Sequence, residues 1–323
     1  MKVVFGREQL SAEASFEDLA SLLPGWEVTG CAPGQVADHL EGADVICPFG
    51  ARIGAQLIEA GTFGLVHQFG VGLDGVDVGR ATELGVLVAR VPGEVSGNAD
   101  SCAELAVLHL LALARRLDES RAALAQRRWP DRPVGRSLLD ATVLIVGLGA
   151  IGTAVARRLA PFGPRLIGVR ARPHLGGPPE LELTGGPDQL RELLGQADAV
   201  VCAAMFHAGN VAMFGRSEFA AMRPGALFVN IARGGLVDED ALLAALESGQ
   251  VGAAGLDVFA REPADPDGPL VGHPRVLATP HVGWHTSYMF RQTSEVFAAN
   301  LMRFGRGEQP LWTVNSPAFR RTR

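Results

Sequence analysis

The sequence predicts an α/β fold of two doubly wound domains, the second inserted into the first. Short apolar runs rich in Val and Ile alternate with helical patterns, as in parallel sheets covered by helices on both faces. Glycine accounts for 40 of the 323 residues, well above its usual share of about 7%; with no collagen period, this points to many tight strand-to-helix turns. The length suits about two domains. A composition of 47% hydrophobic and 20% charged residues supplies cores for both and excludes disorder.

From the N-terminus, the apolar runs Val3–Phe5, Trp26–Thr29, Val45–Cys47, Leu65–Phe69 and Val86–Ala89 read as strands. A long helix from Ala103 to about Ser120 places Leu105, Leu108, Leu111 and Ala112 on one face. The polar stretch Arg127–Arg136, with Pro130 and Pro133, reads as a connection between domains. A second series of strands then begins, at Thr142–Val146, Arg165–Val169, Ala199–Ala203, Ala226–Ile231, Gly252–Leu256 and Val276–Thr279. A final helix, Ser287 to Phe304, leads into a short tail. Residues 1–100 and 285–323 are expected to form one domain and residues 101–284 the other.

Scarce residue types exclude whole reaction classes. A Schiff-base enzyme, a Gly-Lys-Thr phosphate loop and a protein kinase all need a lysine in the body of the chain, and the only lysine is Lys2, at the start of the first strand. The only tyrosine, Tyr288, has no lysine after it, which excludes a reductase built on a Tyr/Lys pair. Cys31, Cys47, Cys102 and Cys202 are far apart, against a metal site or disulfide framework and for a reducing compartment. The net charge of −6 argues against nucleic acid or an anionic membrane as partner. The N-terminus shows no signal-peptide pattern, and the apolar run Leu105–Ala114, interrupted by His109, is too short to span a bilayer. A cytoplasmic protein without a metal is the expectation.

The spacing Gly-x-Gly-x-x-Gly occurs at Gly70–Gly75 and again at Gly147–Gly152. Pyrophosphate binding needs a buried strand before it and a helix after it, so that bare N–H groups at the helix start face the phosphates. After Gly75 only a short helical stretch follows, about Asp77 to Leu84, closed by Gly85. After Gly149 the run Ile151–Pro161 puts Ile151, Val155 and Leu159 on one face, and the strand before it is apolar almost throughout. The dinucleotide is therefore assigned to Gly147, Gly149, Ala150, Ile151 and Gly152, in a Rossmann domain. The first match reads as a glycine turn whose free N–H groups could also hold a small carboxylate.

An acid that binds the ribose hydroxyls is expected at the end of the next strand. Here that strand ends Gly168-Val169-Arg170-Ala171-Arg172. An acid would repel a 2′-phosphate, whereas Arg170 and Arg172 would attract one, so NADPH is expected over NADH. One charge-assisted contact is worth about 1.5–3 kcal/mol, roughly tenfold to a hundredfold in affinity.

Three further segments follow strands: Asn230–Asp238, Gly255–Pro263 and Thr279–Gly283. Together they supply Arg233, a forked cation for a carboxylate and carbonyl oxygen; His281, a proton donor; and Glu262, an acid able to fix the histidine's tautomer. With these segments, and with Gly70–Asp74, Ala103-Glu104-Leu105 and Gly147–Gly152, the sequence resembles the D-isomer-specific 2-hydroxyacid dehydrogenases over nearly its whole length. The Ala-Arg-Gly-Gly-Leu-Val-Asp and Thr-Pro-His segments, in this order, carry most of the specificity.

The resemblance implies a flavodoxin-like substrate domain around the cofactor domain, and reduction of a small 2-keto acid such as glyoxylate or hydroxypyruvate. It implies that Arg233 binds the substrate, His281 is the acid/base and Glu262 its partner. It also implies that Asp257 and Ala232 lie at the nicotinamide, and that the backbone of Val71, Gly72 and Leu73 holds the substrate carboxylate. A homodimer, with the helix after Ala103 at its interface, is implied as well. Glu262 would favour the imidazolium, so reduction should persist at low pH and fade as pH rises.

Four places depart from the family pattern. Ala204-Met205-Phe206 replaces Pro-Leu-Thr, Trp284 replaces a small residue, Arg90-Val91-Pro92 replaces Asn-Thr-Pro, and Pro48-Phe49-Gly50 stands where phosphoglycerate dehydrogenases place an arginine and small polar residues. Phe49 and Trp284 either line a pocket favouring a small or apolar side chain or are core packing. Two alternatives remain: a phosphonate (phosphite) dehydrogenase, and a non-catalytic protein that senses a nicotinamide cofactor.

Overall fold

The computed structural model describes residues 1–10, 15–129 and 131–321. Residues 11–14, 322 and 323, and Pro130 of the expected connection, lie outside the described residues. The chain divides into two compact units, Met1–Asn98 with His285–Arg323, and Ala99–Trp284.

The first unit is a parallel sheet of β1 (Lys2–Phe5), β2 (Glu27–Gly30), β3 (Val45–Cys47), β4 (Leu65–Gln68) and β5 (Leu87–Arg90), in the flavodoxin-like order β2-β1-β3-β4-β5. Alternate residues go to opposite faces. Val4, Ile46, Val66 and Val88 pack with Ile53, Ile58, Phe63 and Ala81, while Phe5 and Phe69 meet Phe297 of the C-terminal helix (Ser287–Gly305) at ring-centroid distances of 5.4 and 5.2 Å. Each fully buried side chain of this size contributes about 1.5–3 kcal/mol. The short helix expected near Asp77 spans Val78–Glu83; Asp77 caps it by accepting from the Arg80 amide, and Gly85 leaves it at φ +76°.

The second unit holds β6 (Thr142–Val146), β7 (Arg165–Val169), β8 (Leu183–Gly185), β9 (Ala199–Cys202), β10 (Ala226–Asn230), β11 (Val251–Leu256) and β12 (Val276–Ala278). All are parallel, in the order β12-β11-β10-β9-β6-β7-β8. Successive strands run outward from β6 to β8 and then return to β9 on its other side. That reversal between β6 and β9 is the switch point at which doubly wound sheets bind ligands. Val143 and Ile145 bury into one core with Val155 and Leu159, and Leu144 and Val146 into another with Val200 and Phe228.

Two expectations are corrected, and one strand is added that the sequence did not suggest. The single helix Ala103–Ser120 is two, Asn98–Ala114 and Leu117–Ala125, broken at Arg116, whose φ is +49°. Its buried face is Ala99, Cys102, Ala103, Ala106, His109 and Leu110, not the leucine row, and Leu108 is 57% exposed. Small residues let a helix lie close on a sheet, and this helix is apolar on more than one side, so its pattern did not single out the inner face. The Arg127–Arg136 stretch is no connection between units, because the chain crosses at Asn98/Ala99 and Trp284/His285. Strand β8 carried no apolar run; it is an edge strand, bonded only to β7. No helix among the described residues is long and apolar enough to cross a membrane.

Candidate active site

At the switch point the chain leaves β6 through Gly147, which takes φ +100° and donates its N–H to Val169 O at 2.8 Å. A Cβ on Gly147 would lie 2.5 Å from the Ala204 backbone, and one on Gly152 would lie 1.9 Å from Gly147 O. Both positions need glycine for close approach. A Cβ on Gly149 would meet no atom within 4 Å, so its bareness leaves open space in front of the helix Ala150–Leu159. Gly149 caps that helix with no side-chain bond, and the first N–H groups of a helix have no intrahelical partner. An open glycine face over bare amides fits a dinucleotide pyrophosphate.

Arg170 follows β7, one residue beyond the Val169 carbonyl that holds Gly147. Its Nη1 donates to Gly176 O at 2.6 Å, which anchors the half-buried side chain. A guanidinium has five N–H donors, so most stay available. Arg172 is exposed.

Arg233 stands in a turn that Asn230 builds. The buried Asn230 side chain accepts from the Ala232 amide at 3.1 Å and donates to Arg233 O at 3.0 Å, and Arg233 Nη1 donates to Ala232 O at 2.7 Å. A Cβ on Gly234 would fall 1.8 Å from the Phe259 carbonyl carbon. Glycine there brings the Arg233 turn against the loop that carries Glu262. On that loop Glu262 Oε1 accepts from the Phe259 amide at 3.1 Å, and His281 Nδ1 donates to Glu262 Oε2 at 2.8 Å. Partial burial pushes the Glu262 carboxyl up. The His281 hydrogen bond and charge, the Phe259 amide and the Arg233 charge outweigh this and hold it below the usual range. With Nδ1 committed, Nε2 is the ring nitrogen of His281 left able to take up or give a proton.

Asp257, 2% exposed, organises the turn bearing that histidine. Its carbonyl accepts from the His281 amide at 2.8 Å, Oδ1 from the Val282 amide at 2.9 Å and from Thr279 Oγ1 at 2.6 Å, and Oδ2 from the Gly283 amide at 2.8 Å. Trp284, next in the chain, is half-buried and ends the second unit.

In the first unit the Gly70–Leu73 loop turns its carbonyls inward. Gly70 O accepts from the Val91 amide, Val71 O from Arg90 Nη1, Gly72 O from Gln68 Nε2 and Leu73 O from the Val76 amide. Among the described residues, none accepts from the N–H groups of Val71, Gly72 or Leu73. Gln68 also accepts from the Phe49 amide at 3.1 Å, which ties Phe49 to this loop. The Phe49 ring packs on Phe5 and Phe69 and lies 4.8 Å under the Arg7 guanidinium.

The structure thus brings Arg233, Glu262, His281, Asp257 and Ala232 together in the second unit, and Phe49 with Val71–Leu73 in the first. Sequence reasoning missed Asn230 and Gly234 as supports of Arg233, although both stand in the Asn230–Asp238 segment it singled out.

Comparison with known proteins converges on one family. Residues 107–283 match the D-isomer specific 2-hydroxyacid dehydrogenase, NAD binding domain. A glyoxylate reductase from Thermococcus onnurineus is 36% identical over 276 residues, covering 82% of this chain and 80% of the relative. A D-3-phosphoglycerate dehydrogenase from Methanocaldococcus jannaschii is 34% identical over 295 residues, 90% of this chain; the chain spans just 55% of that relative's length. Among solved structures, an NADPH-dependent glyoxylate/hydroxypyruvate reductase from Sinorhizobium meliloti, in complex with NADP and malonate, matches with a TM-score of 0.83 at 28% identity, covering 100% of this chain and 99% of that one. An NAD-dependent formate dehydrogenase from Staphylococcus aureus, in complex with NAD, matches with a TM-score of 0.84 at 27% identity, covering 98% of this chain and 100% of that one.

Proposed function

Because this chain belongs to the D-isomer-specific 2-hydroxyacid dehydrogenase family, we propose that it is an NADP-dependent reductase of a small 2-keto acid: glyoxylate, hydroxypyruvate or one with a small apolar side chain. The observation that carries this reading is the 2.8 Å contact of His281 Nδ1 with Glu262, which commits one ring nitrogen and leaves Nε2 to deliver a proton, while the Arg233 charge acts on the same Glu262 carboxylate.

When bound, the nicotinamide supplies the hydride. Arg233 offers its forked, permanent charge to the substrate carboxylate and to the carbonyl oxygen, where negative charge develops. His281 Nε2 gives that oxygen its proton, and Glu262 keeps the ring oriented. The amides of Val71, Gly72 and Leu73 are assigned the substrate carboxylate, and Phe49 and Trp284 its side chain. Asp257 Oδ2 accepts one bond, from Gly283, and has capacity for the nicotinamide amide, with Ala232 beside it. Gly147, Gly149, Ala150, Ile151 and Gly152 are assigned the pyrophosphate, and Arg170 with Arg172 the 2′-phosphate. The relative from Sinorhizobium meliloti, whose name gives it as NADPH-dependent, supports the cofactor choice. A homodimer through the Asn98–Ala114 helix completes the proposal.

The test is oxidation of NADPH and of NADH with glyoxylate, hydroxypyruvate, pyruvate, 2-ketobutyrate, phenylpyruvate and 3-phosphohydroxypyruvate. Turnover with NADPH well above NADH is expected, best with a small unphosphorylated acid. Cofactor binding with no turnover of any acid would overturn the reading and favour phosphite oxidation or cofactor sensing.

A further inference from the structure

We propose that His109 is a positioning residue for the turn that carries His281, acting through the Thr279 hydroxyl and the Asp257 carboxylate. The inference rests on the reading of His281 as the acid/base.

His109 lies on the Asn98–Ala114 helix with 0% exposure. Its Nε2 is 3.2 Å from Thr279 Oγ1, and that hydroxyl lies 2.6 Å from Asp257 Oδ1. The direction of these two bonds is fixed by proton count. A carboxylate can only accept, so the Thr279 hydrogen goes to Asp257, and the hydroxyl oxygen must accept from His109 Nε2–H. That puts a proton on His109 Nε2, and in the neutral ring Nδ1 is then a bare acceptor. Among the described residues Nδ1 is buried with no hydrogen-bond partner. Burial lowers the basicity of His109, against the opposing charge of Asp257, and so keeps this neutral form.

A histidine is an awkward core residue here. It leaves one nitrogen unsatisfied, and it fits because Gly255 on β11 has no side chain; a Cβ there would lie 2.8 Å from Nδ1. An apolar residue would fill the space without stranding a polar atom. What histidine adds is the single bond at Nε2. That bond orients the Thr279 hydroxyl toward Asp257 Oδ1, an oxygen that also holds the Val282 amide, while Oδ2 holds Gly283 and the Asp257 carbonyl holds His281. His281 has φ +53°, a backbone conformation that persists only where neighbours impose it. His109, Thr279 and Asp257 form a series that sets how the His281 ring leaves the backbone. Arg233, which binds the substrate, stands outside it.

The test compares His109→Leu, His109→Gln, Thr279→Val, Thr279→Ser and the double variant His109→Leu/Thr279→Val. The leucine and valine variants should each lower kcat about tenfold or more through displacement of His281, with the keto-acid KM changed less than about threefold because Arg233 is untouched. His109→Gln, which can still donate, and Thr279→Ser should recover most of kcat. In the double variant the losses should not multiply, because the two groups act in one chain. Independently of turnover, the amide resonances of His281, Val282 and Gly283 should shift in His109→Leu and return in His109→Gln. Wild-type kcat with unshifted amides in His109→Leu would overturn the proposal, as would multiplying losses, or a glutamine variant as impaired as the leucine one. If His109→Leu does not fold, the Thr279 pair and His109→Gln decide by the same readouts. His281→Ala serves as a control: full turnover in that variant would sink the acid/base assignment, while the amide shifts would still decide whether His109 holds the turn.

Discussion

As the proposed proton donor, His281 has to hold an uncommon backbone conformation and a transferable proton at once. A left-handed φ on a residue with a Cβ costs about 1–2 kcal/mol, and the three amides of His281, Val282 and Gly283 anchored on Asp257 offset it. Replacing His281 with Ala leaves those anchors and the glycine turn untouched. Turnover should therefore fall by about 10²–10⁴-fold while NADPH titrated by fluorescence binds within about twofold of wild type; near-normal turnover would move the proton donor elsewhere. Glu262 is held below the usual carboxylate range, so it is ionised throughout the neutral range and its contact with His281 weakens only in acid, as pH drops through that depressed value. Reduction consumes a proton, so its rate should persist in mild acid and decline as pH rises. At Arg170, the bond to Gly176 O fixes where the guanidinium sits. Arg170→Asp should weaken NADPH about tenfold to a hundredfold and leave NADH unchanged or tighter. Loss of both cofactors to the same degree would show that Arg170 serves the loop and not the 2′-phosphate.

At the scale of elements, what was legible followed from burial. Strand β6 lies between two others and is buried on both faces, so it wrote itself as the continuous run Thr142–Val146 and its bounds were readable to the residue. Strand β8, at an edge, had no reason to be apolar on both sides, and Leu183 is 38% exposed. Arg233, Glu262 and His281 were legible because each stands in a short motif after a strand. The bond from His109 to Thr279 joins residues 170 positions apart, and no local pattern announces such a pair. The leucines of the Asn98–Ala114 helix misled in an informative way. They are apolar, yet Leu108 is 57% exposed, as are Leu117 at 47% and Leu124 at 65% on the next helix. Three exposed leucines on consecutive helices, Leu108, Leu117 and Leu124, suit a second copy. Light scattering on the purified protein should give twice the chain mass, and Leu108→Asp should halve it. A monomeric wild-type protein would remove the proposed dimer.

The first unit is made from the two ends of the chain, and a buried histidine joins them. His67, on β4 and 0% exposed, accepts at Nε2 from Asn300 Nδ2 at 2.9 Å and meets Gln68 O through Nδ1 at 3.1 Å. Asn300, on the C-terminal helix, also accepts from the Leu311 amide at 2.8 Å and donates to Leu311 O at 3.0 Å. Both ring nitrogens of His67 are thus used in the neutral form, and a proton on Nε2 would face the Asn300 amide with no lone pair to receive it. Burial lowers the His67 pKa to about 4, whereas in the unfolded chain it titrates near about 6.5. Above about 6.5 neither state binds the proton and the node contributes fully. Below that value the unfolded chain takes up a proton that the folded one refuses, so stability falls by about 1.4 kcal/mol per pH unit, levelling off near about pH 4 after a loss on the order of 3 kcal/mol. Burial lowers His109 in the same sense and adds to the fall, while the depressed Glu262 acts only in stronger acid. Urea unfolding at pH 7 and pH 5 should therefore show a wild-type loss of about 2 kcal/mol or more. His67→Leu, whatever its absolute stability, should lose markedly less between the same two pH values. Equal losses in the two proteins would mean that the node tying the chain's ends together takes up its proton without cost.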